Sequence, residues 1–264
     1  MIAKYNAQNK KMYLEYIGDD WGECPYLYLN FIGLSGISPD VEVFMCMSNN
    51  DSICAVMLRY YNALHIFSRE SDLDTEEIKS FIAQLNPKII WINENAFKVL
   101  INIFDSYLVH TMPVMACSSS ATGVDTSEVT IASEADLPEI AELMLEEELY
   151  KQGYENAGQI IETFSERMRQ CMGISYIVRK DSKLVAHISI NAMANGIAVY
   201  GALVVSRQFR GQGLAKKVRA KLMEDMAGKN IIVLDFAISE ATKKIDIAGG
   251  GKCVGNVVKL SKLE

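Results

Sequence analysis

The chain has 264 residues, 50% of them hydrophobic and 22% charged, with a formal net charge of −7. That length suits two domains of ordinary size, and the balance is that of a soluble globular protein rather than a disordered or fibrous one. The charge is uneven: residues 1–125 carry 8 basic and 15 acidic side chains and residues 126–264 carry 18 of each, and an acidic first half argues against nucleic acid as a partner.

In chain order, apolar residues recur at helical spacing near 9–17 and again near 25–34. Three strand-like runs follow, Val41 to Met47, Ile53 to Tyr60 and Leu64 to Ser68, with turns at Asn49-Asn50-Asp51 and Tyr61-Asn62. Asp74 or Thr75 caps a helix over 74–85, whose apolar positions are Ile78, Phe81, Ile82 and Leu85. Ile89 to Ile92 reads as a strand, 94–104 as a helix and 107–116 as a strand. Residues 118–127, small and polar, read as a linker between a domain over 1–117 and a second over 128–264.

The second domain opens with a short strand at Val129 to Ala132 and a helix from Ser133 or Glu134 through Tyr150, with Pro138 tolerated near its start. A second helix covers about 157–172. Strands at 174–180 and 183–191 share a Lys-Asp-Ser turn, and Asn195-Gly196 marks the next hairpin turn. A strand over 197–205, a helix over 213–227, a strand at Ile231 to Leu234, a helix over 239–248 and a strand over 252–260 complete the order. The expected class is α/β with a mixed α+β sheet in each half.

Between the strand 197–205 and the following helix stands Arg210-Gly211-Gln212-Gly213. Two glycines let a backbone approach a ligand closely, and the unpaired N–H groups of a first helical turn favour an anion, above all a pyrophosphate. Arg207, Arg210, Lys216, Lys217, Arg219 and Lys221 lie between 207 and 221 with no acidic residue among them. A dinucleotide fingerprint would need glycine where Lys216 stands, and the P-loop-like Gly249-Gly250-Gly251-Lys252-Cys253 lacks Ser or Thr at 253 and has Asp246 at its first glycine position.

Val205 through Ala215 resembles the acetyl-CoA-binding motif of the GNAT (N-acetyltransferase) superfamily, with its signature on Arg210, Gly213 and Ala215. The element order from 128 to 264 agrees with that fold, the acyl-CoA N-acyltransferase fold. The resemblance implies that the backbone of Leu203, Val204 and Val205 bonds the pantetheine arm. It likewise implies that Arg210, Gly211, Gln212, Gly213, Leu214 and Ala215 hold the pyrophosphate. The first half repeats much of this order, but Arg69-Glu70-Ser71-Asp72-Leu73-Asp74 replaces the glycine turn, and its carboxylates would repel a pyrophosphate. It resembles the degenerate amino-terminal domain of tandem GNAT proteins.

The implied activity is direct acetyl transfer from acetyl-CoA to an amine of a small molecule or peptide; the alternative is a CoA-binding regulatory or scaffold protein without turnover. Transfer requires loss of a proton from an amine, stabilisation of an oxyanion and protonation of a thiolate. The second needs only backbone N–H near Val204 or Val205. For the others, the positions where the family commonly has Asn and Tyr are Ile238 and Ile245. The catalytic candidates are His187, placed by alternation on the polar, solvated face of its strand, and Tyr200. Glu146-Glu147-Glu148 reads as a solvated acidic face at the edge where substrates enter. Three separated histidines and six scattered cysteines give no metal site, and the thiols read as free, in a cytoplasmic protein. No nucleic acid or membrane partner is expected, and a homodimer is allowed.

Overall fold

The computed structural model describes residues 1–48, 50, 52–117 and 123–263. The turn read at Asn49-Asn50-Asp51 and the first half of the linker lie wholly or partly outside the described residues. The chain forms two compact units, Met1–Val114 with Phe236–Ser239 and Cys253–Glu264, and Met115–Asp235 with Glu240–Lys252.

The first unit takes strands β1 (Ile2–Lys4), β2 (Val41–Met47), β3 (Ile53–Tyr60), β4 (Ala63–Phe67), β5 (Ile89–Asn93) and most of β6 (Tyr107–Cys117). Its helices are α1 (Lys10–Ile17), α2 (Pro25–Leu34), α3 (Thr75–Leu85) and α4 (Glu94–Leu100). The helix expected over 94–104 tightens after Leu100 into a 3₁₀ turn at Ile101–Ile103. Neighbouring strands β1 to β4 are antiparallel and β4 runs parallel to β5, since α3 provides the crossover. Ile78 and Ile82 of α3 and Ala96 and Leu100 of α4 pack on Phe44, Met57, Leu64 and Ile66 in one apolar layer.

The second unit contains β7 (Thr130–Ile131), α5 (Leu137–Met144), α6 (Glu148–Gly153), α7 (Ala157–Arg169), β8 (Ile174–Lys180), β9 (Lys183–Ala194), β10 (Ile197–Val205), α8 (Leu214–Gly228), β11 (Ile232–Phe236, its last residue in the first unit) and α9 (Glu240–Ala248). Its strand order is β11-β10-β9-β8-β7, with only the β10–β11 pair parallel. Ile177 packs with α5 and α7, whereas Tyr176 beside it faces Asp225 of α8, so the helices lie on opposite faces. The single helix read from 133 to 150 is broken. A 3₁₀ turn at Glu134–Asp136 leads into α5, and Glu147, in extended conformation, separates α5 from α6.

The last strand, β12 (Lys252–Lys262), departs from the sequence reading, which ran the second domain to 264. It pairs antiparallel with β5, Val257 opposite Asn93 and Leu260 opposite Ile90, and Val258 and Leu260 are fully buried in the α3–α4 layer of the first unit. An apolar strand has the same alternating pattern whichever sheet edge it joins, so periodicity could not reveal its partner. Gly255 has a specific reason to lack a side chain: a Cβ there would stand 2.7 Å from the Gly22 carbonyl oxygen.

Candidate functional site

Strands β10 and β11 pair over three residues only, Ile197 to Val199 against Ile232 to Leu234. Beyond Val199 the two strands part, while β10 continues along β9 as far as Val205 opposite Ala186. Between the pairs Gly201–Ser189 and Val204–His187, β10 has two residues where β9 has one, and this bulge puts Ala202 at φ +52°. The result is a strand edge open on the β11 side that leads directly to the glycine turn.

The turn has the conformation that its glycines allow. Gly211 and Gly213 have φ of +78° and +77°, in the left-handed region, and a Cβ at either would meet nothing within 4 Å. Gly213 is the N-cap of α8, and among the described residues no side chain caps it. The first acceptor used in the helix is the Gly213 carbonyl, bonded by Lys217 N–H at 3.1 Å, so the N–H groups of Leu214, Ala215 and Lys216 have no acceptor inside the helix. They open into a cleft of about 580 Å³ whose walls include Leu203, Val205, Arg210, Tyr150 and Glu147. Uncapped N–H groups, positive helix dipole and free space together fit a diphosphate.

The basic run contributes less free charge than its composition suggests. Arg210 is bonded to Glu147 and, through Nε, to the Val205 carbonyl at 3.1 Å. Lys217 pairs with Glu128, Arg219 with Asp246 at 2.6 Å and Lys221 with Asp225 at 2.8 Å. Much of the positive charge in this run is therefore already paired with carboxylates. Glu147, read as part of a solvated acidic face, is instead the ion-pair partner of the motif arginine at the rim of the cleft.

The equivalent place in the first unit is closed chemically. There α3 is capped by its own Asp74, whose carboxylate accepts from Glu77 N–H at 2.9 Å, and Glu76 and Glu77 fill the first turn. The β4–β5 end is stitched by Asn93, which accepts from Ser68 N–H at 3.1 Å and donates to the Ser68 carbonyl at 2.9 Å.

His187 is not on a solvated face: it is fully buried. The Ala202 carbonyl, 2.9 Å from Nδ1, can only accept, so Nδ1 carries the proton and Nε2 accepts from Ser175 Oγ at 3.1 Å. Burial holds the ring neutral and lowers its pKa to about 4. Alternation misassigned it because both faces of β9 are covered by helices and its polar side chains are satisfied within the sheet, His187 by Ser175 and the Ala202 carbonyl and Ser189 by Asn191 Oδ1 at 2.6 Å. Its job is to tie the bulge of β10 to β8.

Tyr200, the other candidate, lies where the strands part. Its hydroxyl donates to Asp235 Oδ2, so the next residue on each strand is joined by side chains where backbone pairing stops. Arg219 stacks over the Tyr200 ring at 5.8 Å and its Nε approaches the hydroxyl at 3.4 Å. Arg219 also bonds Asp246 of α9, which is 1% exposed. Sequence reasoning gave Asp235 and Asp246 no part in a site, counted Arg219 only among the cations of the anion site and read Glu147 only as part of an acidic face; a charged residue inside the apolar run Ile232–Phe236 was the available signal for Asp235. Ile238, at the position where the family has Asn, is exposed, and Ile245 lies within α9 next to Asp246. Among the described residues no group of three His, Cys, Asp or Glu side chains could hold a metal ion, and no helix is long and apolar enough to cross a membrane.

Parted parallel strands, a bulged strand before the opening and an uncapped helix after a glycine turn define the second unit as a GNAT-type acyltransferase fold. Residues 137–244 match the acetyltransferase (GNAT) family. No curated protein matches the chain. Among solved structures it is similar over 99% of both chains to an acetyltransferase of the GNAT family from Colwellia psychrerythraea, at 16% identity and a TM-score of 0.62. A GCN5-related N-acetyltransferase-like protein from Streptococcus suis matches 97% of this chain and 99% of its own at 13% identity and 0.61. A tandem GNAT protein from the clavulanic acid biosynthesis pathway matches 98% and 97% at 8% identity and 0.61. Full-length similarity to a tandem protein extends the GNAT fold to the first unit.

Proposed function

We propose that the second unit binds acetyl-CoA and transfers its acetyl group directly to an amine of a small molecule or peptide. The observation that carries this reading is the uncapped N-terminus of α8 behind two left-handed glycines, beside the open edge of β10. The N–H groups from Gly211 to Ala215 would hold the pyrophosphate, and the backbone of Leu203, Val204 and Val205 the pantetheine arm. When bound, acetyl-CoA supplies an activated acyl carbon. Main-chain N–H beside the bulge is available to stabilise an oxyanion there. The acidic rim at Glu147 lies on the wall of the same cleft and would attract a cationic amine once Arg210 has turned to phosphate.

Calorimetry with acetyl-CoA on the full chain tests the reading. Saturable binding is expected, weakened at least tenfold when Arg210→Glu is combined with Gly213→Asp. Absence of binding, or binding indifferent to those substitutions, would overturn it. The second reading, a CoA-binding regulator without turnover, is favoured by Ile238 and Ile245 at the family's polar positions. Thiol release over a library of amines separates the two, because sustained turnover with any amine eliminates the regulator.

A further inference from the structure

Ala202 stands on β10 just before Leu203, Val204 and Val205, which line the cleft. Its φ of +52° is one that a residue with a Cβ keeps only where its surroundings impose it. The imposing group is His187. Its fully buried ring donates from Nδ1 to the Ala202 carbonyl at 2.9 Å. The ring is held in turn by Ser175 Oγ on Nε2 at 3.1 Å and by Phe164, whose ring centroid lies 5.8 Å away. A peptide unit is planar and trans, so its N–H points opposite to its C=O. With the Ala202 oxygen drawn to His187, the Leu203 N–H of the same unit points away from that ring. The strand ladder agrees. Ser206 N–H bonds the Val185 carbonyl at 2.9 Å and Val204 stands opposite His187, so these alternate residues turn their backbone groups to β9. Leu203, the residue before Val204, turns its N–H to the other side, where β11 has already left. Leu203 is 37% exposed there, on the cleft wall. Filling space does not account for the imidazole, since an apolar side chain would do so without the cost of burying two ring nitrogens.

We propose that His187 is a positioning residue: by holding the Ala202 carbonyl it aims the Leu203 N–H at the carbonyl oxygen of the bound acetyl group, where negative charge collects as the amine adds. The assignment rests on acetyl-CoA binding as proposed above. His187 itself touches no substrate and acts through one peptide unit. Ser175 fixes the ring from β8, since its hydroxyl donates to Nε2 and leaves the proton on Nδ1. Hydrogen bonds linked in this way, from ring N–H to Ala202 carbonyl and from Leu203 N–H to the acetyl oxygen, polarise one another, so the imidazole strengthens the donor as well as aiming it.

The test compares CoA with acetyl-CoA on the full chain, by calorimetry and by nuclear magnetic resonance. Ala63–Leu64 and Ala202–Leu203 are the two Ala-Leu peptides of the sequence. Isotopic labelling of alanine at its carbonyl carbon and of leucine at its nitrogen therefore reduces the amide spectrum to two signals, the first a reference in the other unit. The Leu203 amide proton should move farther downfield with acetyl-CoA than with CoA, and acetyl-CoA should bind roughly three- to tenfold tighter, as one added hydrogen bond allows. In His187→Leu both differences should disappear while CoA affinity, set by the pyrophosphate, changes less than about threefold. His187→Asn, whose amide can donate from the Nδ1 position, should restore them. If CoA binds and the Leu203 signal does not distinguish the two ligands, or His187→Leu keeps the differences, or His187→Asn does no better than His187→Leu, the positioning role is wrong while the donor site stands. If the wild-type chain binds neither ligand, the donor site fails and this role with it. Should His187→Leu not fold, the ring N–H proton of His187 in the wild-type chain decides: it should shift with acetyl-CoA and not with CoA, and silence toward both overturns the proposal.

Discussion

Ser175 and the Ala202 carbonyl fix both nitrogens of His187, and that arrangement has a measurable titration. The folded pKa of about 4 lies below the ordinary 6.5, so the stabilising contribution is present above pH 6.5 and is lost as pH falls toward 4. Asp235 has the opposite sign: its folded pKa of about 7 lies above the ordinary 3.8, so its contribution is complete below 3.8 and is lost as pH rises through 7. Each shift corresponds to roughly 3–4 kcal/mol across its window. In the wild-type chain the two effects oppose each other between pH 4 and 6.5. Asp235→Asn should therefore lose stability as pH is lowered from 7 to 5, and His187→Asn should gain it, measured as urea midpoints over that range. Equal pH slopes in the two variants would contradict the assignment. The pairings of this network were invisible in the sequence because its members sit on different elements. Only the fold brings Tyr200 beside Asp235.

Helices α3 and α8 hold matching places in the two halves and differ in how their first turns are completed. Asp74 closes α3 with its own carboxylate, whereas Gly213 leaves α8 open. Replacing Asp74 by Ala should cost about 1 kcal/mol, read from the denaturation midpoint of the first unit. Gly213→Asp should do to α8 what Asp74 does to α3. A carboxylate placed at those N–H groups should weaken CoA binding at least tenfold by calorimetry while changing stability by no more than about 1 kcal/mol. A variant that still binds CoA normally would show that the phosphate lies elsewhere. This contrast was legible beforehand, since glycine against aspartate at a helix start is a local property of the chain. The break between α5 and α6 was not, because Glu146-Glu147-Glu148 suits a helix and only Arg210, 63 positions away, gives Glu147 a partner outside it. Strand and helix periods likewise carried nearly every other element, apart from the short β1.

At the scale of the whole chain, the first unit is assembled from its opening residues and its final strand. Val257, Val258 and Leu260 are at most 2% exposed there, and burying each contributes about 1.5–3 kcal/mol. Their sum is comparable to the entire stability of an ordinary domain, so removing 253–264 should leave the first unit unable to hold its structure. Hydrogen exchange should then show protection lost in β5 and α3 while it persists in β9 and α8. Retained protection in β5 would show that β12 is dispensable.

The placement of β12 also sets an order of events in the cell. A growing chain ordinarily folds its earlier domain first. Here that domain cannot be finished until residues 253–262 have left the ribosome, and meanwhile β5 offers an unpaired rim to any extended peptide nearby. The later-made half must mature while the earlier one is unfinished, so the time that separates translation of β5 from translation of β12, and chaperones that shield bare strand edges, should govern yield.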